Sequence, residues 1–196
     1  MKKPVRQGKI FIVSAPSGCG KTTLCKKLLA GELNLKHSIS ATTRAPRTGE
    51  IYGKDYFFVS PEEFRAMARR KELLEHEENF GYQYGTPKKF VLSLLEKGKN
   101  VLLSIDVKGA VKVSRLYPDR SVLIFIMPPT LAELKKRLES RMTDEAGAIS
   151  RRLKVAKREM GYKGKYDYVV VNDSLDAAYK KLKNIIEEET RCRKRR

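Results

Sequence analysis

Residues 10–13 form a short, largely β-branched run that leads into Ala15-Pro16-Ser17-Gly18-Cys19-Gly20-Lys21-Thr22, after which Leu24, Leu28 and Leu29 fall at helical spacing up to Ala30. The reading is strand, tight loop, helix. Such a loop lies at the carboxyl end of a strand and the amino end of a helix. The backbone N–H groups freed by Gly18 and Gly20 then converge with the helix dipole into a concave anion site. An ordinary Gly-rich turn seldom continues into Lys-Thr. The rest of the chain has to supply neighbours for that strand. Residues 101–105 and 122–126 are nearly continuous apolar runs, as expected of central parallel strands covered on both faces, and residues 168–171 are expected to add a further buried strand.

Helices are expected between these strands. Ser60, Pro61 and Glu63 make a capping box with proline at the first helical position, predicting a helix over 61–71. Thr86 and Pro87 are expected to open another, with Phe90, Val91, Leu94 and Leu95 on one face and Gly98 ending it. Thr130 and Glu133 form a second capping box ahead of Leu131, Leu134 and Leu138, and Asp173 or Ser174 caps a last amphipathic helix through Ile185 and Ile186. The class is α/β, doubly wound around a mostly parallel sheet. Residues 36–98 break the alternation with turn-rich, short-strand material, as a small inserted lobe would. Arginines crowd residues 137–158, which are broken at 143–147, as a flap would be.

The 196 residues suffice for one well-buried α/β domain and not for two ordinary ones. No apolar run approaches the ~20 residues needed to cross a bilayer, and residues 10–15 are too short for a secretory core, so a soluble, cytoplasmic chain is expected. Three cysteines, Cys19, Cys25 and Cys192, form no metal-ligand pair and fit a reducing compartment. The net charge of +19 attracts polyanions of some kind without choosing among nucleotides, nucleic acid and acidic membrane.

Apart from alanine in place of the first glycine, residues 15–22 match the Walker A pattern in its proper strand–helix context. Lys21 can reach the β- and γ-phosphates of a nucleotide, and the Thr22 hydroxyl can ligate Mg²⁺. The motif does not name the phosphoryl acceptor. A second anion clamp is legible further on: Arg44 and Arg47, three apart around Pro46, can aim two guanidinium forks at one phosphate, with phenolic donors from Tyr56 and Tyr84.

The stretch from Ser40 to Glu50, then Gly53-Lys54-Asp55-Tyr56, Tyr84-Gly85-Thr86, Ile105-Asp106 and Val171-Asn172-Asp173, together with the phosphate loop, resembles the guanylate kinases, P-loop kinases of nucleoside monophosphates. The resemblance runs from about residue 9 to 186. It implies a P-loop kinase fold: a core at about 8–35, 99–135 and 160–190, a GMP-binding lobe at about 36–98, a helical lid at about 136–158 and a basic tail at 191–196. It implies transfer of the terminal phosphoryl group of ATP to GMP, and to dGMP, with Mg²⁺, for purine nucleotide metabolism. ATP would lie on residues 15–22 with Arg137, Asn172 and Asp173. GMP would meet Ser40, Arg44, Arg47, Glu50, Tyr56, Glu75, Tyr84, Thr86 and Asp106, the last also a candidate metal ligand beside Thr22. Lys21, Arg44, Arg141 and Arg152 would carry the catalysis.

A guanine pocket calls for a carboxylate facing N1–H and the 2-amino group, with hydroxyls beside it, which Glu75, Ser40 and Thr86 can supply. Without the motif, Glu75 is indistinguishable from Glu72, Glu77 and Glu78 as a solvated helix-end carboxylate. Two departures stand out: Ser104 where many guanylate kinases have an acid, and Ser140-Arg141-Met142 where the family commonly flanks the arginine with glycines. No general base is needed, since a phosphate monoester with a second pKa of ~6 is largely dianionic at pH 7, and His37 and His76 are bystanders. The competing readings are a non-catalytic interaction module of the same fold, a nucleic-acid binder driven by the charge, and a kinase with another acceptor. The intact Lys21, Thr22, Arg44, Arg47 and Arg141 argue against the first, and the lack of a nucleic-acid motif against the second. No specific nucleic-acid or membrane partner is expected.

Overall fold

The computed structural model describes residues 8–79, 81–140 and 146–192. Strand β1 (Ile10–Ser14) is wholly buried and pairs in parallel with β7 (Asn100–Ser104) on one side and β8 (Ser121–Met127) on the other. Strand β2 (Leu35–His37) extends the sheet beyond β7, and β9 (Tyr168–Val171) extends it beyond β8, giving the parallel order β2-β7-β1-β8-β9. The pleat sends alternate residues to opposite faces. Phe11 and Val13 pack with Leu24 and Leu28 of α1 (Lys21–Ala30) and with Ala178 and Leu182 of the last helix (Leu175–Cys192). Ile10 and Ile12 pack on the other face with Val91 and Leu95 of α3 (Lys88–Glu96) and with Ala110 and Val113 of α4 (Val107–Leu116). Two covered faces define the doubly wound α/β class, with the loops at the strands' carboxyl ends as the expected ligand crevice.

A second sheet, ordered β4-β3-β6-β5, is built from β3 (Ala41–Thr42), β4 (Phe57–Phe58), β5 (Leu73–Asn79) and β6 (Tyr82–Pro87), with helix α2 (Pro61–Arg69) inserted between β4 and β5. The capping box that starts α2 is present in full: Glu63 N–H donates to Ser60 Oγ at 3.1 Å, and Ser60 N–H to Glu63 Oε2 at 2.8 Å. The helix ends short of the expected Lys71, which adopts a left-handed φ of 56°.

Four local expectations are corrected. Thr86 stays in β6, its hydroxyl spent on Glu75, and Pro87 both ends that strand and is the N-cap of α3, one residue later than expected. Phe90 lies 42% exposed, off the buried stripe of Val91 and Leu95. Only half of the second capping box forms: Thr130 Oγ1 accepts from Glu133 N–H at 3.0 Å, while the Glu133 carboxylate turns to Arg137 within α5 (Leu131–Glu139). Strand β9 is an edge strand: Tyr168 and Val170 face the packed side, while Val169 and Val171 are 46% and 39% exposed.

Candidate active site

The phosphate loop leaves β1 and enters α1 through two left-handed glycines, Gly18 at φ 91° and Gly20 at φ 81°. Side chains are excluded there: a Cβ on Gly20 would lie 2.6 Å from Asn172 Nδ2, and one on Gly18 2.9 Å from Leu138. Asn172, buried just past β9, donates Nδ2–H to the Cys19 carbonyl at 2.8 Å. Arg137 donates to the Asn172 carbonyl at 3.0 Å and to Glu133 at 2.9 Å. Both therefore brace the loop from behind. Asp173 is exposed and accepts from the Ser174 N–H. Replacing Asn172 by alanine leaves a loop carbonyl without its donor, a loss of about 1–3 kcal/mol. The variant should melt several degrees below the wild type, measurable by thermal unfolding.

Lys21 donates to the Ile105 carbonyl at 3.1 Å, and burial lowers its pKa from the ordinary lysine value. Thr22 is exposed in the first turn of α1. Burial pushes the Cys19 thiol up to about 12, so it is a packing group, not a nucleophile.

One cavity of about 290 Å³ joins residues 15–22 to Ser40, Tyr56, Glu75, Tyr84 and Asp106. These come from both sheets. Arg44 is 9% exposed and sits over the Tyr56 ring at 5.5 Å. It donates to both oxygens of Glu50 at 2.9 Å. Burial opposes its charge, but the hydrogen bonds to Glu50 and Tyr84 outweigh it and hold the guanidinium above its usual pKa. Glu50 also accepts the Arg47 N–H at 2.8 Å, so this carboxylate braces the clamp. The Arg47 residue is exposed and outside the cavity wall. Burial raises the Tyr56 phenol above its ordinary pKa, so it stays a neutral donor.

Glu75 lies on β5, 6% exposed, and is not a helix-end residue; Glu72, by contrast, is exposed and paired with Arg70. Thr86 Oγ1 donates to Glu75 Oε1 at 2.5 Å. Gly109 makes room for the other oxygen, since a Cβ there would lie 2.5 Å from Oε2. Burial is the main cause that pushes this carboxyl to about 7. Thr86 itself is fully buried and reaches the cavity only through Glu75.

Asp106 does not extend β7 but caps α4, Oδ1 accepting from Gly109 N–H at 2.8 Å and Oδ2 from Asn79 Nδ2 at 2.6 Å. Helix α6 (Ala146–Met160) contributes Val155 and Glu159 to the cavity wall. Arg152 is half-buried on that helix and outside the wall; Arg141 lies outside the described residues, as do Met142 and residues 193–196 of the tail. Glu159 was not among the residues read from the sequence. Burial pushes its carboxyl to about 7, with Lys21 acting in the opposite sense. A trace was available: it follows Val155 and Ala156 at i+4 and i+3, an acid on the apolar stripe of an otherwise basic helix.

A phosphate loop after the first strand of a parallel sheet, facing a second lobe across one cavity, defines a P-loop kinase fold of the kind that brings two ligands together. The guanylate kinase family model matches residues 7–189. The guanylate kinase of Caldanaerobacter subterraneus is 48% identical over 188 residues, covering 96% of this chain and 90% of its own. That of Halalkalibacterium halodurans is 44% identical over 190 residues, covering 97% and 92%. The crystal structure of guanylate kinase from Anaplasma phagocytophilum superposes with a TM-score of 0.80 at 38% identity, covering 94% of this chain and 87% of that one. The chain belongs to the guanylate kinase family.

Proposed function

We propose that the cavity between the two sheets takes both substrates of the guanylate kinase reaction, ATP's phosphates on residues 15–22 and GMP on the second lobe. The chain is an ATP:GMP phosphotransferase. The observation that carries the division of labour is the continuity of one cavity from Lys21 to Glu75 and Tyr84.

Arg44, oriented by Glu50, and the phenols of Tyr56 and Tyr84 hold the GMP phosphate, with Arg47 approaching from the exposed side. Glu75, supported by Thr86, accepts guanine N1–H and the 2-amino group, and Ser40 lies alongside. A phosphate oxygen of GMP attacks the γ-phosphorus of ATP, the bond to the β–γ bridging oxygen breaks, and ADP leaves. Lys21 neutralises charge on the transferring group, joined by Arg141 and Arg152 when the lid closes. Excluding water at that moment suppresses hydrolysis of ATP.

Thr22 and Asp106 would hold Mg²⁺. Both are hard oxygen donors, and among the described residues no group of three or more His, Cys, Asp or Glu side chains converges. That donor set suits an ion bound chiefly through phosphates and water. When bound with ATP, the ion would supply further neutralisation of phosphate charge. The deoxy substrate dGMP is expected to serve as well, in a cytoplasmic enzyme; no helix among the described residues is long and apolar enough to cross a membrane.

The test is ADP release with GMP, dGMP, AMP, CMP and UMP as acceptors. GMP and dGMP should exceed the others in kcat/KM by a thousandfold or more, since a site built around buried hydrogen-bonding groups strongly rejects a base that leaves them unpaired. Activity indifferent to the base would sink the guanine assignment.

A further inference from the structure

Strand alternation puts Glu75, Glu77 and Asn79 of β5 on one face, and all three line the cavity. Opposite them, Asp106, Gly109 and Lys112 occupy one stripe of α4 at three-residue steps. The two rows are joined. Gly109 leaves space for Glu75, Lys112 forms an ion pair with Glu77 and reaches the His76 carbonyl at 3.4 Å, and Asn79 donates to Asp106 at 2.6 Å. The residues that read guanine and the carboxylate beside the phosphate loop thus hang on one seam between the acceptor lobe and the core.

At the Asp106 end this seam is specialised. With Ser104 two residues earlier, Asp106 is the sole carboxylate ending this segment. One of its oxygens is committed to the α4 cap, and without a second anchor the carboxylate could pivot about that bond. Asn79 supplies the anchor with a neutral amide. A lysine in its place would cancel the charge of Asp106, and an acid would repel it; an amide fixes the orientation and leaves the negative charge facing the site.

We infer that Asn79 is a positioning residue for the phosphoryl transfer, holding Asp106 in its working orientation from the acceptor lobe. The inference rests on the reading that Asp106 acts at the nucleotides, so the experiment separates the two. Steady-state constants and GMP affinity by calorimetry are measured for N79A, N79D, D106N and the N79A/D106N double variant, with thermal melts to establish folding.

Removing a hydrogen bond to a charged group is expected to lower kcat of N79A about ten- to hundredfold while the calorimetric Kd for GMP changes less than threefold. The double variant should be no worse than D106N alone, since the amide acts only through that carboxylate. N79D places a second carboxyl against Asp106 at nearly the same volume, so it should lose at least as much kcat as N79A, whereas a role in packing alone would leave it close to wild type. Wild-type turnover by N79A, additive losses in the double variant, or an N79D enzyme close to wild type would each overturn the inference. An unimpaired D106N would instead remove the reading beneath it.

Discussion

Replacing Lys21 by methionine is expected to lower kcat by about a thousandfold while leaving the fold intact or slightly stabilised. The ammonium lies in the first turn of α1, where the proposed site places a phosphate, and donates to the Ile105 carbonyl at 3.1 Å. Burial depresses its pKa, so the folded chain carries that charge at a cost. For a lysine this sign means stability is lost as pH falls from the ordinary value toward the depressed folded one, because the unfolded chain binds the proton more readily. Methionine keeps much of the stem's packing and removes the desolvated charge, which is why Tm should not fall. The reaction, however, loses a preorganised cation aimed at charge that develops in the transition state. Loss of one such donor costs about a hundred- to a thousandfold, and here it is a full charge. Arginine should not restore the rate, because its planar fork cannot occupy a slot shaped for a compact ammonium. Steady-state turnover and thermal melts of K21M and K21R check both halves. A K21M enzyme within tenfold of wild type would remove the lysine from the chemistry.

The parallel core was readable because its signals are local. Residues 101–105 and 122–126 are apolar without alternation, which only a strand covered on both sides tolerates, and both lie beside β1. The phosphate loop was readable for the same reason, since its glycines and Lys-Thr are contiguous. What stayed hidden depends on partners distant in the chain. Thr86 and Pro87 carry a good helix-start signal, yet the Thr86 hydroxyl finds the carboxylate of Glu75 across the hairpin, so Thr86 stays in the strand and Pro87 becomes the N-cap of α3. Strand β9 has the composition of a buried strand but is last in the sheet, and sheet order is not written in any one segment. Glu75 looked like one of several exposed acids until β5 placed it under Gly109. Asn79 and Glu159 carry no motif; their significance comes from an inter-lobe bond in one case and the packing of a basic helix over the cavity in the other.

Replacing Glu75 by glutamine should lower kcat/KM for GMP by about a thousandfold or more and raise the melting temperature of the empty enzyme at pH 8. Both effects have the same cause. A carboxylate accepts from two adjacent guanine donors, N1–H and the 2-amino group, whereas an amide offers one acceptor and turns an N–H against the other donor. Discrimination against AMP should shrink at the same time, because the amide can donate to adenine N1, where the carboxylate presents only repulsion. The Glu75 carboxyl is pushed to about 7, chiefly by burial, from an ordinary 4.5. With the folded pKa above the unfolded one, the folded chain binds more protons between those values, so stability falls as pH rises from 4.5 toward 7 and stays low above it. At about 1.4 kcal/mol per unit, the charged carboxylate costs the empty enzyme about 3 kcal/mol at pH 8. Glutamine carries no such penalty, and a chain of this size should gain several degrees in Tm at pH 8 but little at pH 5. GMP recovers that cost on binding. Its affinity for the wild type, relative to E75Q, should therefore increase between pH 6 and 8 as the carboxylate forms, the ionisation of the GMP phosphate being common to both proteins. Calorimetry in buffers of different ionisation enthalpy should detect a proton released on GMP binding near pH 6.5 by the wild type, beyond any seen with E75Q. Equal proton release and equal Tm in the two proteins would mean that Glu75 is already charged in the empty site and that burial does not set its behaviour.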